Sequence, residues 1–286
     1  MSVKNVLNKL KPIFISFRMK RPLSSYNALF YHVSIFLRRF ARYINWILNS
    51  RKFAKQIESS ALEYRVYKHQ SVLIRKLGGT DLIFQQNKVD NLIIAIKKLN
   101  GIIIRPCETF SFCFLVGQPT KRKGYKEGIL LCNGEAKPGI GGGLCQISNL
   151  IHWLCLHSPL TVTERHHHSF DPFPDEGRVV PFGSGASIFY NYMDYQLRND
   201  TEHTFQLLFW LDKKCINGDL RVDSNLPHKY HIYEKNHKFI KDGDYIYRRN
   251  ELWRDKYNKI GSGEIIESEL LQKNNALVKY TPDEVF

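Results

Sequence analysis

The sequence predicts an α+β protein. A glycine loop and a helix carrying a cysteine pack on a largely antiparallel sheet, behind an N-terminal amphipathic helical leader and ahead of a C-terminal β-meander. Three observations predict this. Residues 87–100 and 144–157 repeat apolar side chains at helical spacing. The pieces between and after them are short, strand-length and apolar or mixed. Asn-Gly and Asp-Gly pairs punctuate the second half. With 286 residues, 43% of them hydrophobic, the chain can bury a substantial core, which excludes a disordered polypeptide.

The net charge of +15 is unevenly placed. The first 57 residues hold twelve Lys and Arg and no carboxylate, whereas the rest balances thirty bases against twenty-seven acids. A near-neutral body without a nucleic-acid motif is not expected to bind nucleic acid. Lys9, Lys11, Arg18, Lys20 and Arg21 interrupt any signal-peptide apolar run, and Tyr26–Leu37 is too short and polar to span a bilayer. At helical spacing Leu29, Val33, Phe36, Phe40, Ile44 and Ile47 form one stripe, opposite Ser34, Arg38, Arg42, Asn45 and Asn49. Over residues 26–49 this pattern suits a helix packed on its own domain, or one lying in an anionic membrane surface. Six cysteines without a Cys-x-x-Cys pair, in a chain without an export signal, are expected to be reduced thiols. That places the protein in the cytoplasm, peripheral on the inner membrane face if the leader binds lipid. The expected organisation is a leader (1–57), an α+β core (58–223) and a β-rich extension (224–286) of the same domain.

Element by element, a strand is expected around Arg65–Leu77, ended by Gly78-Gly79. A helix follows over Asn87–Asn100, with Lys97 and Lys98 in its last turn and Gly101 as its stop. Ile102–Ile104 reads as a buried strand, and the Gly- and Pro-dense 117–143 as a long loop. Leu144–His157 is helical, and strands are expected at Leu160–Ser169, Ala186–Tyr195 and Phe205–Ile216. Asn217-Gly218 predicts a two-residue hairpin turn, and Asp242-Gly243 a second turn within the meander.

The chemistry concentrates in Lys-Pro-Gly-Ile-Gly-Gly-Gly-Leu-Cys-Gln-Ile-Ser-Asn-Leu-Ile-His-Trp, residues 137–153. The glycines stop where the helix begins, so Cys145 falls in its first turn, where unpaired N–H groups and the macrodipole favour a thiolate and could hold an oxyanion. Leu144, Ile147, Leu150, Ile151 and Leu154 form the buried stripe, and Cys145, Ser148, Asn149 and His152 the other face. In Glu164-Arg-His-His-His-Ser169, strand alternation puts His166 and His168 on the face of Glu164. A cysteine at a helix start with a histidine on a following strand is the arrangement of Cys-His hydrolases and transferases. Asp171, Asp194 and Asn199 are the candidates to orient the imidazole. Pro181, Gly183 and Gly185 make a turn feeding a Tyr-rich segment that could wall a cleft. Four readings fit the cluster: a Cys145–His168 nucleophile and base; a zinc site of Cys145, His152, His166 and His168; a phosphate-cradling glycine loop; and a tight packing turn with a buried cysteine.

Gly-Gly-Gly-Leu-Cys-Gln-Ile-Ser-Asn-Leu (141–150), Glu-Arg-His-His-His-Ser (164–169) and Pro-Phe-Gly-Ser-Gly-Ala (181–186) resemble the VanW family, as do Glu108–Phe112 and Gly124-Tyr125 upstream. Cys107 stands where many members have Gly, and Gly185 where many have Asp. The resemblance implies a cell-envelope, glycopeptide-resistance context and no particular reaction. It marks Gly143, Cys145, Gln146, Arg165, His166, His168 and Asp194 as the site. The expectation from the residues is a cysteine-dependent hydrolase or acyltransferase acting on a peptide or cell-wall precursor. Cys145 attacks, His168 with His166 beside it serves as base and then acid, Asp194 orients the imidazole, and Gln146 or nearby backbone N–H groups hold the oxyanion. Gly141, Gly142, Gly143, Asn149 and Arg165 are expected against the substrate, and no cofactor is required. The competing expectations are a non-catalytic module holding an envelope ligand or partner in the glycine-loop cleft, and the zinc site.

Overall fold

The computed structural model describes residues 28–74, 82–132, 135–167, 170–172, 174, 179–259 and 263–282. The chain divides into two compact units at Ile44–Asn45. Helix α1 (Ala28–Leu48) makes up the described part of the first and runs on to the start of the second. Trp46 and Phe53 are buried with Cys113 and packed by Phe114, so residues 45–57 belong to the body.

The body is α+β. Its main sheet has the order β1 (Tyr64–Val72), β10 (Cys215–Val222), β9 (Phe205–Leu211), β2 (Ile102–Ile104), antiparallel throughout. A second sheet orders β11 (His228–Asp242), β12 (Tyr245–Asn258), β13 (Ile265–Val278) and β7 (Phe170–Asp171). The first three strands are the expected meander, turning at Asp242-Gly243. The fourth joins it in parallel, Leu277 against Phe170. Two small sheets complete the body: β3 (Thr109–Ser111), β8 (Gln196–Arg198) and β6 (Thr161–Glu164), and the ribbon of β4 (Glu127–Cys132) with β5 (Glu135–Ile140). Helices α2 (Leu82–Leu99) and α4 (Cys145–Leu156) pack on the main sheet, and the short α3 (Phe112–Val116) is capped by the Ser111 hydroxyl.

Four expected elements are redrawn. Helix α2 starts five residues before Asn87, because its first turn carries exposed Leu82 and Ile83 and apolar periodicity tracks burial. Within 117–143 the chain forms the β4–β5 ribbon, in which Pro138 is tolerated because a two-stranded ribbon leaves each strand an unpaired side. Ala186–Tyr195 is not a strand: Phe189 and Met193 close a tight turn over Asn191, whose φ is 58°. Leu160–Ser169 shortens to β6, with His166 then bridging Ser187.

A fifth correction locates the cysteine helix. Asn217-Gly218 is no hairpin turn; β10 runs straight through it. The turn lies at Asp212, whose carboxylate accepts from the Lys214 and Cys215 amides and from the Asn217 side chain. That side-chain turn outcompetes the Asn-Gly pair. Gly218 is needed instead for packing, since a Cβ there would sit 2.8 Å from Leu154 Cδ1 and 3.1 Å from Leu150. Helix α4 therefore lies closer to the sheet than any side chain at 218 would permit.

Candidate active site

Helix α4 buries Leu144, Ile147, Leu150, Ile151 and Leu154 in the main core, as the spacing requires. Its second face is covered too. Ser148 donates to Ala186 O, and His152 Nδ1 lies 3.0 Å from the Tyr195 hydroxyl. Burial holds the His152 imidazole well below its ordinary pKa, and with Nδ1 against Tyr195 it is a hydrogen-bonded core residue. Among the described residues no three His, Cys, Asp or Glu side chains gather as a metal site.

Cys145 opens α4 and is half-buried, with Sγ 3.9 Å from Ile188 O. It lies on the wall of a cavity of about 610 Å³. Gly143, Gln146, Trp153 and His167 share that wall, residues 69–72 of β1 and 129–131 of β4 supply others, and the 179–187 segment another. Cys107, Cys113, Cys145, Cys155 and Cys215 are not joined in disulfides. Cys155, one helix face away, is buried, and burial pushes its thiol pKa up.

Several residues expected against the substrate prove to build the wall. Gly141 and Gly142 are buried, and Gly142 crosses β4 so closely that a Cβ would meet the Gly128 carbonyl carbon at 2.1 Å. The buried Asn91 of α2 ties this crossing down, donating to Gly142 O and Lys126 O while accepting from Lys126 N. Only Gly143 of the three glycines reaches the cavity. Asn149 lines it as well, but its Oδ1 accepts from Ala186 N at 2.7 Å.

Gln146, expected to help hold the oxyanion, has its amide nitrogen engaged elsewhere. Its amide nitrogen donates to Val72 O at 2.7 Å and Ser71 Oγ at 3.0 Å, which lashes the start of α4 to β1. Arg165, expected against the substrate, is likewise engaged within the fold. Its guanidinium donates to Gly185 O at 2.8 Å, to Gly183 O and to Gln272 of β13, clamping the glycine turn onto the second sheet. Burial lowers its pKa to about 10, leaving it charged at neutral pH.

Among the histidines, His166 Nε2 sits 3.1 Å from Glu164 Oε1, the same-face contact that alternation requires. His168, the expected base, lies outside the described residues. His167 lines the cavity, a position that strand alternation did not assign to it; burial, then Arg165 and His166, lower its pKa and keep the imidazole neutral. The three candidates for orienting an imidazole each hold other partners. Asp194 accepts from the Ser111 hydroxyl, the Cys113 and Tyr195 amides and Gln196. Asp171 pairs with buried Arg248 at 3.1 Å and with the Tyr280 hydroxyl, and Asn199 bonds Ile104 O, His203 O and Thr201. Glu164, which meets His166, also accepts from Asp194 N.

The C-terminal meander closes the cavity, with Asn274, Asn275 and Ala276 of β13 on its wall. Asn250 and Asn274 reach Phe182 O, and Arg248 lies between the Phe182 and Phe239 rings.

The family model described as VanW like protein matches residues 87–221. The chain is 36% identical over 228 residues to the vancomycin B-type resistance protein VanW of Enterococcus faecalis, covering 80% of this chain and 82% of the relative. It is 30% identical over 117 residues to the uncharacterized protein YoaR of Bacillus subtilis, covering 40% of this chain and 36% of that one. No solved structure matches. The first alignment runs through most of both chains, so the protein belongs to the VanW family.

Proposed function

We propose that the protein is a cysteine-dependent hydrolase or acyltransferase acting on an amide or peptide bond of a cell-envelope molecule, within the glycopeptide-resistance setting that its relative's name carries. The observation that supports this is the position of Cys145: first residue of a twelve-residue helix, half-buried, on the wall of a cavity that also holds a neutral histidine. The helix N-terminus favours the thiolate. Sγ attacks the carbonyl carbon, and the Leu144 and Cys145 N–H groups meet the oxyanion; those of Gln146, Ile147 and Ser148 donate to Gly143 O and Leu144 O. A histidine of the 166–168 run, His168 by spacing, takes the thiol proton and delivers it to the leaving amine as the C–N bond breaks. Water or a second amine then cleaves the thioester. Iodoacetamide at pH 7 tests the central premise, because Cys107 is exposed and Cys145 is not. Accessibility alone favours Cys107. An activated thiol at Cys145 should react at least about tenfold faster than Cys107 despite its burial, and equal or slower labelling overturns the reading.

We also propose that α1 attaches the protein to an anionic membrane surface. Phe36 and Phe40 are exposed and stacked, the helix holds Arg38 and Arg42 at the opposite stripe, and no acid precedes Glu58. Among the described residues no helix is long and apolar enough to cross a membrane. Phe36→Glu with Phe40→Glu should abolish sedimentation with vesicles containing phosphatidylglycerol. Removing residues 1–57 is a poorer test, since it takes away buried Phe53 and Ala54. Unchanged sedimentation of the double variant removes the proposal.

A further inference from the structure

Among the described residues β1 is an edge strand: it pairs with β10 on one side only, and its residues 69–72 line the cavity that holds Cys145. The ladder fixes which of its backbone groups face outward. Leu73 N donates to Lys214 O, so Leu73, Ser71 and His69 exchange their bonds with β10. Antiparallel bonding alternates, and the N–H and C=O groups of Val72 and Gln70 therefore point away from β10. Val72 O confirms the parity by accepting from the Gln146 side chain on that outer side. Gln146 directly follows Cys145, so this bond holds the outer edge of β1 next to the thiol.

We propose that the outer edge of β1 is the docking strand for an extended peptide, which pairs with Gln70 N–H, Gln70 C=O and Val72 N–H and so presents a carbonyl carbon to Cys145 Sγ. This rests on the thiol reading above and adds the substrate class and its mode of binding. Strand addition draws affinity from main-chain bonds and specificity from alternate side chains. The surroundings suit both. The β1 side chains alternate, with Tyr67, His69 and Ser71 partly buried towards α4 and Lys68, Gln70 and Val72 exposed. The facing walls supply apolar surface from Ile129, Leu130 and Phe182, against which side chains of an added strand can pack. The Gln146 tether has a second consequence. It satisfies Val72 O, which limits pairing to the three groups named and sets the register of the added strand.

An acyl-dialanyl chloromethyl ketone is the probe, its rates divided by those of the same reagents with glutathione and compared with iodoacetamide. Its carbon alkylates Sγ and chloride leaves, so no other reactant is needed. The peptide reagent should inactivate Cys145 about tenfold or more faster than its intrinsic reactivity predicts, since three added hydrogen bonds contribute at least one decade. Methylating one of its two amide nitrogens should remove the advantage and methylating the other should not, because only every second N–H faces β1. Gln70→Pro deletes an outward donor that β10 does not use, a substitution edge strands tolerate. It should remove the advantage while leaving the iodoacetamide rate unchanged, and that unchanged rate also reports an intact fold. If iodoacetamide labels Cys145 fast but both methylated reagents match the parent, strand addition is overturned and the thiol reading survives. If iodoacetamide itself is slow, the thiol reading fails and the docking strand falls with it.

Discussion

Asp194→Ala should destabilise the protein by about 4 kcal/mol, read as a fall in the urea midpoint at unchanged slope. The carboxylate is fully buried and accepts from Ser111 Oγ at 2.5 Å, Cys113 N at 2.8 Å, Tyr195 N at 2.8 Å and Gln196 Nε2 at 3.0 Å. Alanine strands those four donors in a site from which water is excluded, and each stranded donor costs about 1–3 kcal/mol before relaxation. Asp194→Asn should cost less, since it retains one acceptor oxygen but sets an amide N–H₂ against donors. The bonds tie β3, the start of α3 and β8 together, and Asp194 N meets Glu164, the partner of His166. Damage here therefore reaches the histidine run through the fold. A variant that keeps the wild-type urea midpoint yet alkylates Cys145 slowly would instead give Asp194 the imidazole-orienting role.

The parts of this architecture that follow from local rules were legible. The α4 stripe from Leu144 to Leu154 is a periodicity statement, and so is the triple-isoleucine strand β2. The thiol at the first turn of α4 follows from where the glycines stop. The His166–Glu164 contact follows from alternation along a strand. What was not legible depends on tertiary competition. Asn217-Gly218 is a strong turn signal in isolation, but Asp212 supplies a better turn five residues earlier and α4 requires a residue without Cβ at 218. Gln146 and Arg165 have the chemistry of site residues, a carboxamide beside a nucleophile and a cation beside histidines. Both are committed to backbone carbonyls contributed from far along the chain. Asn91 gave no local signal at all, because its three partners lie at 126 and 142. His167 lines the cavity, and alternation along the run does not say which of its two faces turns inward.

Arg165→Met should destabilise the protein by about 3–5 kcal/mol and open the cavity. The guanidinium is the shared donor to three acceptors: it holds Gly183 O and Gly185 O of the turn that lines the cavity, and Gln272 of the second sheet. Methionine fills much of the volume but leaves two carbonyls and a carboxamide oxygen without their donor, so the loss is of bonds and not of packing. Ser148 and Asn149 still hold Ala186 to α4. The turn should therefore loosen from the meander first, held there by Asn250 and Asn274 on Phe182 O and by Arg248 on the Phe182 ring, with hydrogen exchange rising across 181–187 and in β13 while α4 stays protected. Arg165→Lys keeps the charge but cannot span three divergent acceptors, and should lie between the two. Bulky maleimides should then label Cys145 faster than in the parent, since Ile188 O lies 3.9 Å from Sγ on the segment that the clamp positions. A substrate-binding arginine would behave in the opposite way. Arg165→Lys would be as stable as the parent, exchange at 181–187 would not change, and only the response to ligand would differ. The clamp also explains why the cavity needs chain beyond the matched residues 87–221. Its anchor at Gln272 and its lining at Asn274–Ala276 lie past that boundary and the β1 wall at 69–72 lies before it, so residues 87–221 expressed alone would carry the cysteine and the histidines with both of those walls absent.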